Sequence, residues 1–518
     1  VHTQQSGVAH LSADNDQHCC QLIRQLLSYL PQNNREEPPS VESEDDPERS
    51  NDILTEIVPA DPRKTYDMGR VIQEVMDAKS YFEIQPSFAR NMIIGFGRLH
   101  GKVVGVVANQ PRHLGGTIDI DAADKANEPG KFTALYGYEW TSIPNGSNMH
   151  RNVFFKDKAA PFPYSAFDSI YPVELWSHLE TMREMGIDNF AIPHNSNVSN
   201  GWMFSDYKFL DTRMDKRYAR RQAENEPLFE IVQTKGQSDA HPALSPNDEF
   251  VNFERFDNLI NLPIQADKSR GAFFRQGLAT GMALEKELGA NPYKMGVVAG
   301  ADFHSGYQGN EEFDYKGGHG FVDDTPPKRL NPTPGLSGGV TALLSSAGTT
   351  AVWAEENTRE GIFNAMKSKE TYGTSGTMIR LRFFGGWDLP RDLVKDKQFV
   401  KKAYAAGVPM GQDLANKPDK AKAPTFAVWA QKDPESGNLD RIQIVKVWPN
   451  PANGLPMEKI YDVAWSDDRK PDPDTGKLPP VGNTVDVKKA TYTNDIGDTQ
   501  LSAVWTDPDF DPANSAAY

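Results

Sequence analysis

The sequence predicts a mixed α/β protein that becomes β-rich toward its C-terminal end. Between residues 132 and 369, short apolar runs alternate with stretches of helical spacing, a rhythm typical of parallel strands joined by helical crossovers. From about residue 376 the helical spacing fades, and apolar runs alternate with Pro, Asp and Gly turns, as in a small β-sandwich. Upstream of residue 122 the sequence pattern differs again, so two different patterns meet near residues 122–127.

The predicted elements of the first part are two helices and a hairpin, separated by a polar linker. In order they are a helix at 18–30, a linker at 33–52, a helix at 67–78, and strands at 92–99 and 103–108. The helices follow from apolar spacing of three and four residues, and Pro31 ends the first of them. Asn, Glu, Asp, Pro and Ser dominate the linker, and such a composition favours solvated chain.

The second part is predicted to hold both a strand–helix series and a β-rich region. The series comprises strands at 132–138, 152–155, 190–192, 228–232 and 295–301, a helix at 172–185, and a strand–helix unit at 350–369. The β-rich region comprises strands at 378–384, 425–430, 441–448, 459–465 and 501–505.

Bulk composition limits the classes of partner. The 518 residues suffice for about two to four domains. A formal net charge of −16 argues against nucleic acid as a partner, because phosphate contacts need clustered Lys and Arg. We find neither an apolar run of about 18 residues nor a signal-peptide pattern, so we expect no membrane partner and assign no localisation. Cys19 and Cys20 are expected to be free thiols on a helix. The sequence does not indicate an oligomeric state.

Four side chains at predicted strand ends are candidate metal ligands: Glu139, His194, Asp302 and His304. In an α/β barrel the carboxyl ends of the strands converge on one face, so carboxylates and imidazoles placed there can share a metal. Asp302 and His304 are two residues apart, and on an extended segment such side chains point the same way.

Three further residues are candidate metal or substrate contacts. They are His150, Glu230 and His241. Each has an alternative interpretation: His150 as a core or edge histidine, Glu230 as a strand residue paired with a cation, and His241 as an exposed loop residue before Pro242. The sequence assigns no catalytic residue beyond these ligands.

Several motifs of the first part resemble one enzyme family. Residues 1–10 (VHTQQSGVAH), 27–39 (LSYLPQNNREEPP), 58–67 (VPADPRKTYD) and 108–116 (ANQPRHLGG) look like the carboxyltransferase β subunit of biotin-dependent acyl-CoA carboxylases, of the propionyl-CoA type. The resemblance covers residues 1–121 and implies a crotonase-like fold that transfers a carboxyl group to an acyl-CoA. That chemistry needs two oxyanion holes of backbone amides, which in the family lie outside this segment, so we expect a fragment without activity.

The second part resembles a different family. Residues 137–141 (GYEWT), 192–197 (IPHNSN), 232–242 (VQTKGQSDAHP) and 300–305 (GADFHS), with 383–387 and 407–411, look like the DUF3604 family, a branch of the PHP metal-dependent hydrolases. The resemblance implies a distorted (β/α)7 barrel with up to three divalent metals, often Zn, Mn or Fe, and a metal-bound hydroxide that attacks a phosphoester or related ester. It makes Glu139 a bridging carboxylate, His194 a middle imidazole, and Asp302 with His304 the closing D-x-H pair.

The sequence departs from the PHP pattern at its start. PHP proteins open with an H-x-H strand and a D-H motif, and the carboxyltransferase-like segment stands in their place here. None of the histidines upstream of Glu139 has H-x-H spacing; they are His2, His10, His18, His100 and His113. Fewer ligands weaken metal binding, so we expect a divalent metal at partial occupancy.

Together these patterns predict an α/β chain of three parts. They are a crotonase-like carboxyltransferase fragment at 1–121, an incomplete distorted (β/α)7 PHP-like barrel at 122–375, and a β-sandwich-like domain at 376–518. Three functional hypotheses follow: an impaired PHP-like hydrolase of a small-molecule ester, an acyl-CoA carboxyltransferase fragment, and an inactive chimera.

Overall fold

The computed structural model describes residues 2–33, 35–43, 45–46, 49–59, 64–116, 119–157, 163–260, 266, 268–304, 323, 325–331 and 343–518. The chain divides into two compact units. The first contains Val1–Tyr136 with Glu356–Arg359, and the second contains Gly137–Glu355 with Glu360–Tyr518. Within the described residues, no helix combines the length and apolarity needed to cross a membrane.

The first unit contains a three-stranded antiparallel sheet flanked by short helices. Its elements are α1 (Asp16–Leu27), α2 (Ile53–Ile57), α3 (Met68–Val75), β1 (Phe82–Ile84), β2 (Met92–Leu99), β3 (Lys102–Asn109) and α4 (Ile120–Ala126). The strands pair in the order β1-β2-β3. Ile72 of α3 packs on Ile93 and Val106, which lie on neighbouring strands, and these three side chains are buried. Cys19 and Cys20 are free and exposed on α1, as predicted.

The stretch where the two sequence patterns meet folds as helix α4. The Asp119 side chain caps its start by accepting a hydrogen bond from the Ala122 backbone N–H, and Ala122 packs on Met92 of β2. Lys125 is buried, and its ammonium donates to the carbonyls of Gln85, Phe88 and Met92. Burial lowers the pKa of Lys125 to about 8. The junction is therefore part of the core of the first unit.

The second unit alternates strands and helices and then becomes mainly β. Its elements are β4 (Tyr136–Trp140, which begins at the last residue of the first unit), β5 (Arg151–Phe155), α5 (Pro172–Glu184), β6 (Asn189–Pro193), α6 (Lys216–Asn225), β7 (Leu228–Glu230), β8 (Val232–Gln233), β9 (Gly236–Gln237), α7 (Phe274–Leu288), β10 (Gly296–Val298), α8 (Pro326–Leu330), β11 (Thr349–Val352), α9 (Arg359–Lys367), β12 (Thr371–Thr374), β13 (Arg380–Gly386), α10 (Phe399–Ala406), β14 (Val408–Pro409), β15 (Thr425–Gln431), β16 (Arg441–Pro449), β17 (Pro456–Trp465) and β18 (Gln500–Thr506).

The strands of the second unit form several small sheets. β4, β5 and β6 form one sheet, β7 and β10 pair in parallel, and β11 pairs with β12. Toward the end of the chain, four strands form an antiparallel sheet in the order β14-β13-β15-β18, and β16 pairs with β17 as a hairpin. The mixed α/β class is therefore confirmed, while the described strands do not close into a barrel.

The predicted helices and strands have counterparts in the structure, but the structure also contains elements that were not predicted, among them β1, α6, α7 and α10. The strand predicted from residue 132 begins at Tyr136, because Glu128 and Phe132 instead form an isolated bridge around a turn. Helix α10 lies in the region predicted to be β-rich. It buries Phe399 and Ala403, one helical turn apart, against Phe384 of β13. The apolar residues Phe399, Val400, Ala403 and Tyr404 have helical spacing, and this signal was overlooked in the sequence.

A buried ion pair connects β5 to α5 and α6. Arg151 and Glu226 have side-chain exposures of 1% and 0%, and Arg151 Nε donates to Glu226 Oε1 at 3.0 Å. The same carboxylate accepts hydrogen bonds from Trp176 Nε1 at 2.8 Å and Gln222 Nε2 at 3.2 Å. Arg151 Nη1 donates to the Met149 carbonyl at 2.6 Å. This network fixes the chain on both sides of residue 150.

Glu226→Ala should destabilise the second unit by about 3–5 kcal/mol, because it leaves the Arg151 charge buried without its partner. Thermal unfolding of the full chain measures the effect. Glu287→Ala serves as the matched control, since Glu287 pairs with Arg213 at an exposed position and its loss should change the midpoint little. Equal midpoints for the two variants would contradict the importance assigned to the Arg151–Glu226 pair.

Candidate metal centre

Sheet register places two histidines side by side. In the antiparallel pair β5–β6, Arg151 lies opposite Pro193, so the next rung outward brings His150 opposite His194. The His194 backbone N–H donates to the His150 carbonyl at 3.4 Å, which continues the ladder by one step. Their rings are nearly perpendicular, with centroids 5.5 Å apart. Two histidines far apart in sequence therefore face one point.

Glu139 on β4 completes the cluster. Its Oε1 lies 2.7 Å from His150 Nδ1 and 3.1 Å from His194 Nε2. One ligand atom from each of the three residues falls within 4.8 Å of the others. Gly137 allows β4 to lie this close to β5, because a Cβ at that position would sit 2.6 Å from the Val153 carbonyl oxygen.

Polar atoms of the cluster are buried without hydrogen-bond partners among the described residues. Both ring nitrogens of His194 and Nε2 of His150 are in this state, and so are the side-chain atoms Asn148 Nδ2, Asn195 Oδ1 and Ser196 Oγ. The His194–Glu139 contact is short enough for an ion pair but is not aligned as a hydrogen bond. Buried polar atoms without partners are costly, so their concentration here indicates a site built for a further ligand.

The electrostatics keep the central carboxylate ionised. Burial acts to raise the pKa of Glu139, but contacts with His150 and His194 outweigh it and hold that pKa well below its usual range. Burial acts to lower the pKa of His194, and the Glu139 contact together with the charges of nearby carboxylates raises it overall. Burial lowers the pKa of His150. Imidazole and carboxylate donors in this combination suit Zn, Mn or Fe.

Glu230 lies at the end of β7 in a buried position. It is 6% exposed, and its Oε1 has no hydrogen-bond partner in the described part of the chain. Burial, reinforced by the charges of Asp302 and Glu139, raises the pKa of Glu230 to about 7. β10 pairs in parallel beside it, and Gly300 follows that strand. A Cβ on Gly300 would stand 2.3 Å from Glu230 Oε2.

Asp302 and His304 contact each other after β10, with Asp302 Oδ1 3.3 Å from His304 Nε2. The expected extended segment is wrong in detail, because Asp302 has φ +53°, in the left-handed region. Asp302 Oδ2 accepts a hydrogen bond from Gln233 Nε2 at 2.8 Å and contacts the Lys235 ammonium. Burial acts to raise the pKa of Asp302, but its contacts with His304 and Lys235 hold it well below its usual range.

His241 is held by a different set of contacts. Its Nδ1 accepts from the Ala243 backbone N–H at 3.1 Å, its Nε2 lies 3.3 Å from Arg255 Nη2, and its ring packs against Phe273. Burial and the Arg255 charge lower the pKa of His241. The three-residue cluster of Glu139, His150 and His194 does not include it.

Sequence reasoning missed two residues of the site, Gln233 and Lys235. Gln233 ends β8, and Lys235 lies in the tight turn between β8 and β9, just beyond Glu230. Gln233 and Lys235 are two residues apart and follow a predicted strand, as Asp302 and His304 do. This spacing is the sequence feature that could have identified them as site residues. Gly236 closes the turn with φ +84°, where a Cβ would stand 2.6 Å from the Glu254 carbonyl oxygen.

Comparison with known families agrees with the two-part sequence pattern. The model described as "Protein of unknown function (DUF3604)" matches residues 116–518, well over half of the chain. The chain belongs to the DUF3604 family. The model described as "Carboxyl transferase domain" matches residues 1–135. The junction predicted at 122–127 of this DUF3604 protein lies inside the stretch that both models match.

Curated relatives resemble the carboxyltransferase-like part of this DUF3604 protein. The propionyl-CoA carboxylase carboxyltransferase subunit of Haloferax mediterranei is 56% identical over 125 residues, 24% of each chain. The putative propionyl-CoA carboxylase beta chain of Bacillus subtilis is 48% identical over 126 residues, again 24% of each. The chain thus spans about a quarter of the length of these relatives. Among solved structures, transcarboxylase 12S is 41% identical over 24% of each chain, with a TM-score of 0.24.

Gly300→Ala should destabilise the protein by about 1–3 kcal/mol, because the added methyl group overlaps the buried Glu230 carboxylate and the strands leave little room to relax. Gly437→Ala is the matched control, since a Cβ there meets nothing within 4 Å. Differential scanning calorimetry compares the two variants. A Gly300→Ala protein as stable as Gly437→Ala would show that Glu230 is not confined as described.

Proposed function

We propose that the second unit is a divalent-metal-dependent hydrolase of a small-molecule phosphoester or other anionic ester. The observation that supports this most is the cluster of Glu139, His150 and the buried His194. Its ligand atoms converge, and both ring nitrogens of His194 and Nε2 of His150 lack hydrogen-bond partners among the described residues. Carboxylate and imidazole donors at the ends of separate strands are typical of hydrolytic metal sites.

We also propose a finer architecture for the family-matched part. β4 to β12 and their helices would be an incomplete, distorted (β/α)7 PHP-like barrel at residues 122–375. Residues 376–518, with their antiparallel sheet and hairpin, would be a β-sandwich-like domain. Residues 1–121 would be a crotonase-like carboxyltransferase fragment. Parallel pairing of β7 with β10 and the candidate ligands at strand ends support the barrel proposal.

The chain's own residues would divide the work at this centre. Glu139, His150 and His194 would hold the metal, which when bound supplies positive charge that activates water and stabilises the charge developing on an ester. Glu230 Oε1 can hold or release a proton near neutral pH, because its pKa is about 7. The His304 side chain is 57% exposed, so an anionic substrate could reach its imidazole from solvent.

His194→Ala should lower Mn²⁺ affinity at least about 100-fold, because it removes a buried ligand that no neighbour can replace. Equilibrium dialysis of the metal-stripped full chain, followed by metal analysis, measures the change. His241→Ala is the matched control, since its contacts lie outside the cluster.

Hydrolysis of p-nitrophenyl phosphate and bis-p-nitrophenyl phosphate by the Mn²⁺-loaded protein provides the functional readout, and His194→Ala should abolish it. A wild-type protein that binds no Mn²⁺ and hydrolyses neither ester would rule out this function. Equal loss of metal in His241→Ala would exclude the cluster as its location.

A second candidate function is acyl-CoA binding by the carboxyltransferase-like part. It is favoured by 56% identity over 125 residues to a propionyl-CoA carboxylase subunit. Isothermal titration of the full chain with propionyl-CoA tests it, with acetate as the control ligand. A Kd in the micromolar range, about −8 kcal/mol, would support this function. Binding weaker than millimolar would leave the first unit as a folded fragment, and failure of both functions would support an inactive chimera.

A further inference from the structure

The Asp302 end of the site already contains a cation, the ammonium group of Lys235. This group contacts Asp302 Oδ2, and the lysine side chain is 13% exposed. Gln233 Nε2 donates to the same carboxylate oxygen at 2.8 Å. One oxygen of Asp302 is therefore engaged by two donors, and one of them carries a full positive charge.

Lys235 is held in this position by its own backbone. The Lys235 backbone N–H donates to Gln233 Oε1 at 2.8 Å. Because Nε2 of the same Gln233 amide donates to Asp302, this amide connects the turn with Asp302. The Lys235 carbonyl accepts from Asn197 Nδ2 at 3.0 Å, three residues beyond His194. These bonds fix the backbone from which the Lys235 side chain extends, and that side chain is mostly buried, unlike an exposed lysine that meets a carboxylate by chance.

The charge of Lys235 acts on the rest of the centre. Among the groups whose pKa values it influences are His150, Glu230 and His304, besides Asp302 itself. A divalent ion bound to Asp302 Oδ2 would have to displace this ammonium or share one oxygen with it, and two cations at that distance repel. The residues of this end therefore do not fit a second metal ion.

We propose that Lys235 is the second cation of the centre, so that the chain binds one divalent ion at Glu139, His150 and His194 while the ammonium neutralises Asp302. The first half of this statement rests on the proposed function, and the second half does not. The ammonium supplies, at the Asp302 end, the fixed positive charge that a second ion would bring. This proposal differs from the sequence-based prediction that Asp302 and His304 bind metal.

Metal stoichiometry tests the proposal with a readout other than activity. The metal-stripped full chain is dialysed against Mn²⁺ alone and analysed for bound metal, as wild type, Lys235→Gln, Asp302→Asn and the double variant. Lys208→Gln is the matched control, because Lys208 pairs with Asp215 at 2.7 Å and its described contacts lie outside the centre. Thermal unfolding of each variant verifies that it is folded.

We expect one Mn²⁺ per chain for wild type, Asp302→Asn and Lys208→Gln, two for Lys235→Gln, and one for the double variant. Two ions in wild type, or one in folded Lys235→Gln, would overturn the proposal. If Lys235→Gln does not fold, Asp302→Asn decides: retained Mn²⁺ supports the proposal and lost Mn²⁺ overturns it.

The same measurements separate this proposal from the proposed function. If wild type binds no Mn²⁺, the hydrolase proposal fails. In that case, one ion bound by Lys235→Gln and lost in the double variant still supports the role of Lys235, and no ion in Lys235→Gln overturns that role as well.

Discussion

The cost of removing three carboxylates from water is the constraint on which the structure of the candidate centre depends. Glu139, Glu230 and Asp302 lie near strand ends. Glu230 is buried and Asp302 is partly buried, and unpaired negative charge is costly in such positions. The chain offsets this cost in three ways. His150 and His194 stabilise the ionised form of Glu139, and the Lys235 ammonium pairs with Asp302. Burial raises the pKa of Glu230 to about 7, which favours its neutral form.

The surrounding framework fixes these groups at close range. The β5–β6 register sets His150 against His194, and the buried Arg151–Glu226 pair holds the chain next to His150. Gly300 leaves room for the Glu230 carboxylate, and the left-handed backbone at Asp302 directs that side chain toward the β8–β9 turn. Such local strain persists where the surrounding contacts compensate for it, and it is common at functional sites.

The strands that carry the candidate ligands could be predicted from the sequence for a physical reason, whereas the helices α6 and α7 were not predicted. Strands such as β6 and β15 are recognisable as short, nearly continuous apolar runs, and the polar residues that follow them mark the strand ends. The contact between Lys235 and Asp302 could not be inferred from the sequence. It depends on the two-residue turn between β8 and β9 and on the positive φ of Asp302. The grouping of His150 with Glu139 and His194, rather than with His241, likewise depends on tertiary register that no local pattern encodes.

The junction between the two sequence patterns is also a folded feature. Helix α4, with Lys125 bound to three carbonyls and Ala122 against β2, belongs to the core of the first unit, although the DUF3604 model begins at residue 116. Residues on both sides of 122 therefore share one local core. The part matched by DUF3604 then continues into β4, which carries Glu139.

The location of a bound metal tests the account most directly. Crystals of the full chain grown with Mn²⁺ should give one strong anomalous difference peak in contact with Glu139, His150 and His194, with the Lys235 ammonium still on Asp302. A peak bound by Asp302 and His304 with Lys235 displaced, or no peak at the three-residue cluster, would contradict it.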